Sequence, residues 1–246
     1  MIQQHRIALE VGDAQVGATL AYPLYAWLLS CVPHEAGALL HEDGAKPLTQ
    51  YVCREQETFW WVINLLTDDA ITLFAPVLEQ KQAADLHLGT ISFEQHTVET
   101  IESPQEIITR AQSLQEINRF PLTLLTPTAF KQQGRYVILP QESLILQSLV
   151  RRWDESFPDY PLDDPDAFQA LLQGTHIVDY SLHSLRHPLK QTKIPSFQGR
   201  VILEAHLSAP LMEIMKTLYV FAPYAGLGIK NALGMGGVKT MAFVKT

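Results

Sequence analysis

The sequence Gly226-Leu227-Gly228-Ile229-Lys230-Asn231-Ala232-Leu233-Gly234-Met235-Gly236-Gly237 holds five glycines in twelve residues, near the C-terminal end of a 246-residue chain. Glycine loses more backbone entropy on folding than any other residue, so it marks positions of positive φ or of close approach by another group. Two glycine clusters therefore flank Lys230 and Asn231 in what we predict to be a loop. Successive N–H groups of such loops can converge on an anion.

Nucleotide-binding motifs do not account for this loop. A mononucleotide-binding loop has Lys-Ser or Lys-Thr after its last glycine, whereas Gly237 is followed by Val238. In the G-x-G-x-x-G dinucleotide motif, the third glycine position holds Asn231 when counted from Gly226, and Lys239 when counted from Gly234. Two interpretations remain: a tight turn before a final strand over 238–244, or a contact with a polyanion.

The distribution of charge favours the polyanion. Residues 1–180 hold 10 Lys and Arg against 24 Asp and Glu, a balance of −14, whereas residues 181–246 hold 8 against 2, a balance of +6. The basic residues of this last part lead toward the glycine loop, and they are Arg186, Lys190, Lys193 and Arg200, followed by Lys230 and Lys239 in and beside the loop. A clustered basic region is typical of proteins that bind phosphate backbones.

Composition limits the other classes of function. No apolar run approaches the roughly 18 residues that a membrane span requires, and we expect no membrane partner. Cys31 and Cys53 form no disulfide framework or CxxC pair, which, with a start that lacks a secretory leader, predicts a cytoplasmic protein. The remaining candidates for a metal site lack ligand spacing, so we expect neither a metal nor another cofactor; they are His176, His183, His187 and His206.

Hydrophobic periodicity predicts the same order of elements twice. In the first half we expect strands over 2–10, 48–54, 59–66 and 86–101, with helices over 19–32 and 70–85. After a junction over 103–118, the second half has predicted strands over 120–126, 176–182, 199–206 and 238–244, with helices over 142–153 and 210–221. Each half is β-α-β-β-α-β. The prediction is an α+β protein with two tandem ferredoxin-like (RRM-like) domains, 1–117 and 118–246, and a C-terminal glycine-rich loop.

Several motifs resemble those of one family. They are Leu125-Thr126-Pro127-Thr128 with Phe130 and Gly134, Pro140 through Leu144 with Ser148-Leu149 and Arg152-Trp153, Pro195-Ser196-Phe197-Gln198-Gly199, and the loop from Gly226 to Gly236. Together they are similar to motifs of the RAMP-type CRISPR-associated endoribonucleases (the "Cas six" family), which cut precursor CRISPR RNA within its repeats. The resemblance implies the same duplicated fold and activity.

The resemblance also implies catalytic residues. The segment from Leu40 to Thr49 fits the family's "L-H-x(n)-K-P-h-T" pattern, which places the catalytic histidine at His41 and a lysine at Lys46. A tyrosine of the first helix assists in the family, and Tyr25 fits better than Tyr22. His34 is a competing histidine. Where the family often has a serine after the pattern, this chain has Gln50.

These residue types suit a metal-independent cleavage in which the 2′-OH attacks the neighbouring phosphate. Histidine transfers protons near neutral pH, and lysine neutralises the charge that grows on the phosphorane. The implied products carry 2′,3′-cyclic phosphate and 5′-OH ends. The predicted RNA contacts are Arg186, Lys190, Lys193, Arg200, Gly226, Gly228, Lys230, Asn231, Gly234, Gly236 and Lys239.

The predicted partner is CRISPR repeat RNA, precursor and processed, with other effector-complex subunits as a further option and a monomer or a homodimer as the assembly. Two alternatives to the enzyme stay open at this point. One is a RAMP-type subunit that holds guide RNA without cutting it, and the other is a small-anion-binding metabolic protein of the same fold.

Overall fold

A computed structural model describes residues 1–11, 17–33, 47–87, 89–114 and 116–240. Its strands and α-helices are, in chain order, β1 (Ile2–Glu10), α1 (Ala21–Ser30), β2 (Leu48–Glu55), β3 (Thr58–Leu65), α2 (Asp68–Gln80), β4 (Ala83–Leu86), β5 (Gly89–Ile101), α3 (Pro104–Gln112), β6 (Arg119–Thr128), β7 (Phe130–Gln132), β8 (Arg135–Val137), α4 (Glu142–Ser156), α5 (Pro165–Gln173), β9 (Thr175–Leu189), β10 (Thr192–Ala205), α6 (Ala209–Ala225) and β11 (Val238–Lys239). Short 3-10 helices span Ala18–Leu20 and Asn231–Leu233.

The first sheet is antiparallel, with the strand order β2-β3-β1-β5-β4. Alternate residues of its strands, such as Ile7 and Ile63, are fully buried in one cluster with Leu24 of α1 and Phe74 of α2. A period of two on the strands thus meets the apolar stripes of two helices on one face. Without the edge strand β4, the order is that of a ferredoxin-like βαββαβ unit.

The second sheet repeats this order. Its strands lie as β11-β6-β10-β9, again antiparallel, so the first and last strands of the unit are neighbours and the hairpin β9–β10 lies on one side. Its core joins Val201 and Leu203 of β10 to Trp153 of α4 and Phe221 of α6. The two sheets confirm the predicted tandem ferredoxin-like fold.

Some predicted boundaries are wrong, and tertiary pairing explains most of the differences. The helix predicted over 70–85 begins earlier, because the Thr67 hydroxyl accepts the N–H of Ala70, and it ends at Gln80 because residues 83–86 pair with β5. The segment predicted to connect two strands over 183–198 instead continues both strands into one long hairpin. The predicted junction contains α3, and α5 and the small β7–β8 hairpin are absent from the predicted elements.

Polar hydrogen bonds join the first sheet to the C-terminal end of α6. The Thr49 hydroxyl donates to the carbonyl of Tyr224 (2.7 Å), and the Asn64 amide donates to Thr49 (2.9 Å) and to the carbonyl of Pro223 (3.3 Å). Gln4 donates in turn to the Asn64 side-chain oxygen (2.8 Å). The last carbonyls of an α-helix have no partner within the helix, so these side chains satisfy groups that burial would otherwise leave unpaired.

Within the ranges given above, no helix combines the length and the apolar composition that crossing a bilayer requires.

Replacing the Asn64 amide tests the polar junction. Asn64 is fully buried, so Asn64→Ala leaves the Thr49 oxygen and the Gln4 amide without their partner and should lower the free energy of unfolding by about 2–3 kcal/mol in urea titrations. The exposed Asn118 offers the same chemical change as a control, and Asn118→Ala should stay within about 0.5 kcal/mol of the parent. Equal losses for the two variants would contradict this role of the junction.

Candidate functional site

The glycine-rich loop begins where α6 ends. Gly226 follows the last helical residue with φ of +66°, a conformation that favours glycine. The N–H of Leu227 donates to the carbonyl of Gly236 (2.8 Å), and the N–H of Gly236 donates to the carbonyl of Pro127 on β6 (3.0 Å). Both arms of the loop are therefore fastened to each other and to the second sheet.

The Asn231 side chain organises the interior of the loop. Its amide donates to the carbonyls of Leu227 (3.1 Å) and Met235 (3.4 Å), and only 3% of the residue is exposed. A Cβ at Gly226 would lie 2.7 Å from this amide nitrogen, and one at Gly236 would lie closer still. The two glycines make room for the amide between the arms of the loop.

Most N–H groups of the loop are used inside the protein. Besides those of Leu227 and Gly236, the internal pairs are Gly228 to the Ser148 hydroxyl, Ile229 to the Ala129 carbonyl and Gly237 to the Thr126 hydroxyl, at 2.9–3.0 Å. Donors that already have acceptors do not form an anion-binding concavity. Contacts of Gly226, Gly228, Asn231, Gly234 and Gly236 with RNA stay a prediction, and Lys230 carries the exposed cation of the loop.

A cleft of about 590 Å³ opens beside the loop. The residues that line it come from four elements: Tyr25 from α1, Lys131 and Tyr136 from the β7–β8 hairpin, Arg151, Arg152 and Glu155 from α4, and loop residues 228–233. Tyr25 of the first half and the cations of the second half therefore line the same cleft.

Cations dominate the lining of this cleft. Glu155 lies 3.9 Å from Arg151 and 4.0 Å from Arg152, and Lys131 and Lys230 add two further charges. The buried Arg152 donates to the Asn231 side-chain oxygen (3.3 Å), and burial lowers the pKa of its guanidinium to about 10, so it stays charged at neutral pH. One carboxylate against four cations favours an anionic ligand.

Tyr25 is the one predicted catalytic residue within the described ranges. It is 8% exposed and lines the cleft, and burial raises the pKa of its phenol. A phenol with a raised pKa keeps its proton near neutral pH, so it is suited to hydrogen bonding rather than to proton abstraction. The other candidates, His41 and Lys46, and the competing His34, lie outside the described residues.

Apart from Lys230, the predicted basic contacts divide into two groups. Arg200 and Lys239 each pair with Thr123 from opposite sides, so they are neighbours in one row across the open face of the second sheet. Arg186 and Lys193 lie farther along the β9–β10 hairpin, and Lys190 is at its turn, 5.6 Å from the ring of Tyr22 on α1. All five are exposed.

The histidines of the second half differ in burial. His187 is buried, and burial lowers the pKa of its ring, whereas His176, His183 and His206 are exposed. Among the residues that the structure describes, no three His, Cys, Asp or Glu side chains are grouped to hold a metal ion.

Sequence reasoning missed three cations of the cleft. Lys131 and Arg151 lie within residues 1–180, whose net charge is negative, so counting charge by region did not identify them. Arg152 was noticed only as part of an Arg-Trp motif. The available signal was the position of Arg151 and Arg152 beside the apolar residues of an amphipathic helix, which include Leu149, Val150 and Trp153.

The two sheets and the cleft between their helices and loop define a protein of two tandem ferredoxin-like units with a cationic groove.

Comparison with known proteins makes this class more specific. The family described as CRISPR-associated endoribonuclease Cas6 matches residues 122–238. A Streptococcus thermophilus protein of that description is 29% identical over 221 residues, covering 89% of this chain and 90% of the relative. One from Mycobacterium tuberculosis is 26% identical over 226 residues, covering 90% and 72%. Over most of its length the chain is therefore similar to proteins described as CRISPR-associated endoribonuclease Cas6.

Solved structures of the family share the fold. A Cas6 product complex superimposes with a TM-score of 0.79 at 21% identity, covering 98% of this chain and 100% of the other. Thermus thermophilus Cas6 gives a TM-score of 0.74 at 23% identity, with 98% of each chain covered. At these identities, the likeness concerns the fold.

Adding one methyl group at Gly234 tests the packing of the loop. Its φ is +98°, and a Cβ there would clash with the Cβ of Ala21 at the start of α1. Gly234→Ala should therefore lower the free energy of unfolding, measured in urea titrations, by about 1–2 kcal/mol because of the strained backbone and by a further 1–3 kcal/mol because of overpacking.

Gly134 is the matched control because its φ is +79° and no atom lies within 4 Å of an added Cβ. Gly134→Ala should lower the free energy of unfolding only by the backbone contribution, about 1–2 kcal/mol. If the two alanine variants are equally stable, the close approach of the loop to α1 does not contribute.

Proposed function

We propose that the protein cleaves precursor CRISPR RNA within its repeats, without a metal, leaving 2′,3′-cyclic phosphate and 5′-OH ends. The observation that carries the proposal is the cationic cleft in which Tyr25 of the first half meets Lys230 and Arg152 of the second. Similarity to Cas6 supports an endoribonuclease, since the relatives are described as CRISPR-associated endoribonucleases.

In this mechanism the 2′-OH attacks the adjacent phosphorus in line, forming a bond to phosphorus while the bond to the 5′-oxygen breaks. The protein removes the hydroxyl proton and supplies one to the departing oxygen, a task that fits His41. Lys46 neutralises the charge on the phosphorane. Tyr25 orients the 2′-OH through a hydrogen bond, in keeping with its raised phenol pKa.

RNA binding extends beyond the reacting phosphate. The cleft cations and Lys230 contact phosphates next to the cut, whereas Arg200 and Lys239 on the sheet, and Arg186, Lys190 and Lys193 on the hairpin, contact the backbone farther away. Residues 1–117 then carry the catalytic segment, and residues 118–246 carry most of the RNA contacts. Such phosphate contacts provide affinity, and unpaired bases provide sequence selection.

Replacement of the two histidines distinguishes the catalyst. His41→Ala should lower the cleavage rate of repeat RNA by about 10²- to 10⁴-fold in buffer containing EDTA, as expected on removal of a general acid or base. The products of the parent protein should carry cyclic phosphate ends, identified by mass spectrometry. His34→Ala, a histidine seven residues upstream, is the matched control and should cleave at the parental rate.

Three outcomes would contradict the proposal. Tight binding of repeat RNA with no cleavage by the parent protein would indicate a RAMP-type subunit that only holds RNA. Cleavage that EDTA abolishes would indicate a metal-dependent reaction. Full activity of His41→Ala would remove His41 from the mechanism.

The sheet contacts should be visible in the salt dependence of binding. Arg200→Ala and Lys239→Ala should each reduce the slope of log affinity against log salt by about 0.7, the value for one phosphate contact on a single strand. Lys81→Ala is the control, because Lys81 is an exposed lysine after α2, away from the second sheet, and should leave the slope unchanged. Unchanged slopes for all three variants would exclude this path for the RNA.

A further inference from the structure

We infer that Gln50 is a positioning residue that fixes Tyr25 relative to the cations of the glycine-rich loop. The inference deepens the proposed function and rests on it. Gln50 lies in β2 and is fully buried, so it does not reach RNA. Any effect on cleavage must pass through the residues that it touches.

The Gln50 side chain makes three hydrogen bonds to three different elements. Its amide nitrogen donates to the carbonyl of Ala21 in α1 (3.0 Å) and to the carbonyl of Ala232 in the loop (2.9 Å), and its oxygen accepts from the Trp61 indole on β3 (2.8 Å). Both donors of the amide are used, and the planar group holds the two carbonyls at fixed positions on either side.

Each of these carbonyls is close to a residue of the cleft. The Ala21 carbonyl is four residues before Tyr25, so it is the acceptor that an α-helix gives to the N–H of Tyr25. Ala232 lies in the 3-10 helix that follows Lys230. One amide therefore connects the backbone that carries the phenol with the backbone that carries the loop cation.

The contact between α1 and the loop has little room to adjust. Gly234 packs directly on Ala21, and even a methyl group at Gly234 would clash there. This packing limits the distance between α1 and the loop that the Gln50 amide spans. The indole of Trp61 is fully buried, with its ring centroid 5.9 Å from that of Phe93, which fixes the third partner. Gln50 has no alternative arrangement that keeps all three bonds.

A serine at this position would not replace the glutamine. A hydroxyl has one proton to donate, so it cannot serve two carbonyls at once. At the position where the family often has a serine, this chain therefore has a buried link behind the site.

The test separates cleavage from RNA binding. Gln50→Met keeps the length of the side chain and removes its hydrogen bonds. With protein in excess, its single-turnover cleavage rate on repeat RNA should fall about 100-fold, since a misplacement of about 1 Å at a reacting group has this effect. Its Kd for the same RNA should stay within about threefold of the parent.

A destabilised control distinguishes positioning from a general loss of structure. Asn64→Ala also removes buried hydrogen bonds, but at the α6 junction, and should keep the parental cleavage rate at a temperature where both variants are folded by circular dichroism. If Gln50→Met does not fold, Gln50→Leu removes the same three hydrogen bonds with a shorter uncharged side chain, and the same loss of rate is expected.

A double variant tests whether Gln50 acts through Tyr25. In a Tyr25→Phe background, Gln50→Met should lower the rate by far less than 100-fold, because the group that it positions is already missing. Parental cleavage by folded Gln50→Met, full additivity with Tyr25→Phe, or an equal loss in Asn64→Ala would overturn the inference. An inactive parent protein would overturn the proposed function itself, and the two failures are therefore distinguishable.

Discussion

The close approach of the glycine-rich loop to the first half of the chain is the constraint on which the site depends. Gly234 lies against Ala21, and a Cβ at Gly237 would lie 2.6 Å from the Tyr51 ring on β2. Any side chain at either position would push the loop away from α1 and β2. Because both positions are glycine, Lys230 and Tyr25 line one cleft although 205 residues separate them along the chain.

Polar groups add to the apolar contacts that join the two halves, where Ile2, Leu66 and Ile101 of the first half share one core cluster with α6. Thr49 and Gln50 are consecutive residues of β2 with side chains on opposite faces, and one bonds to α6 while the other bonds to α1 and the loop. A hydrogen bond requires defined distances and angles, whereas apolar contacts tolerate sliding. The buried Gln50 amide therefore defines the distance between α1 and the loop, whereas Thr49 and Asn64 contribute mainly to stability.

Much of the fold followed from the sequence because alternation on strands and helical periodicity are local signals. The order of elements in both halves was predictable in this way, whereas the extent of β9 and β10 depends on pairing across the hairpin, which periodicity does not report. Asp164 before Pro165 is a helix-start signal in the sequence, although α5 is absent from the predicted elements. For the site, the catalytic role that resemblance gives to Tyr25 stays a prediction, and glycines that pack and glycines that bind phosphate look alike in sequence. Only the acceptors of their N–H groups, such as Ser148 for Gly228, distinguish the two uses.

The hydrogen bonds of β2 also bear on how the chain reaches its native state. Thr49 bonds to a residue 175 positions later, and Gln50 to one 182 positions later, close to the end of the sequence. During synthesis the first sheet therefore emerges before the partners of these polar side chains exist. We expect the N-terminal half to remain partly ordered on the ribosome until α6 and the loop have been made, since contacts so distant in sequence form late. Final ordering of both halves would then be a single event near the end of translation.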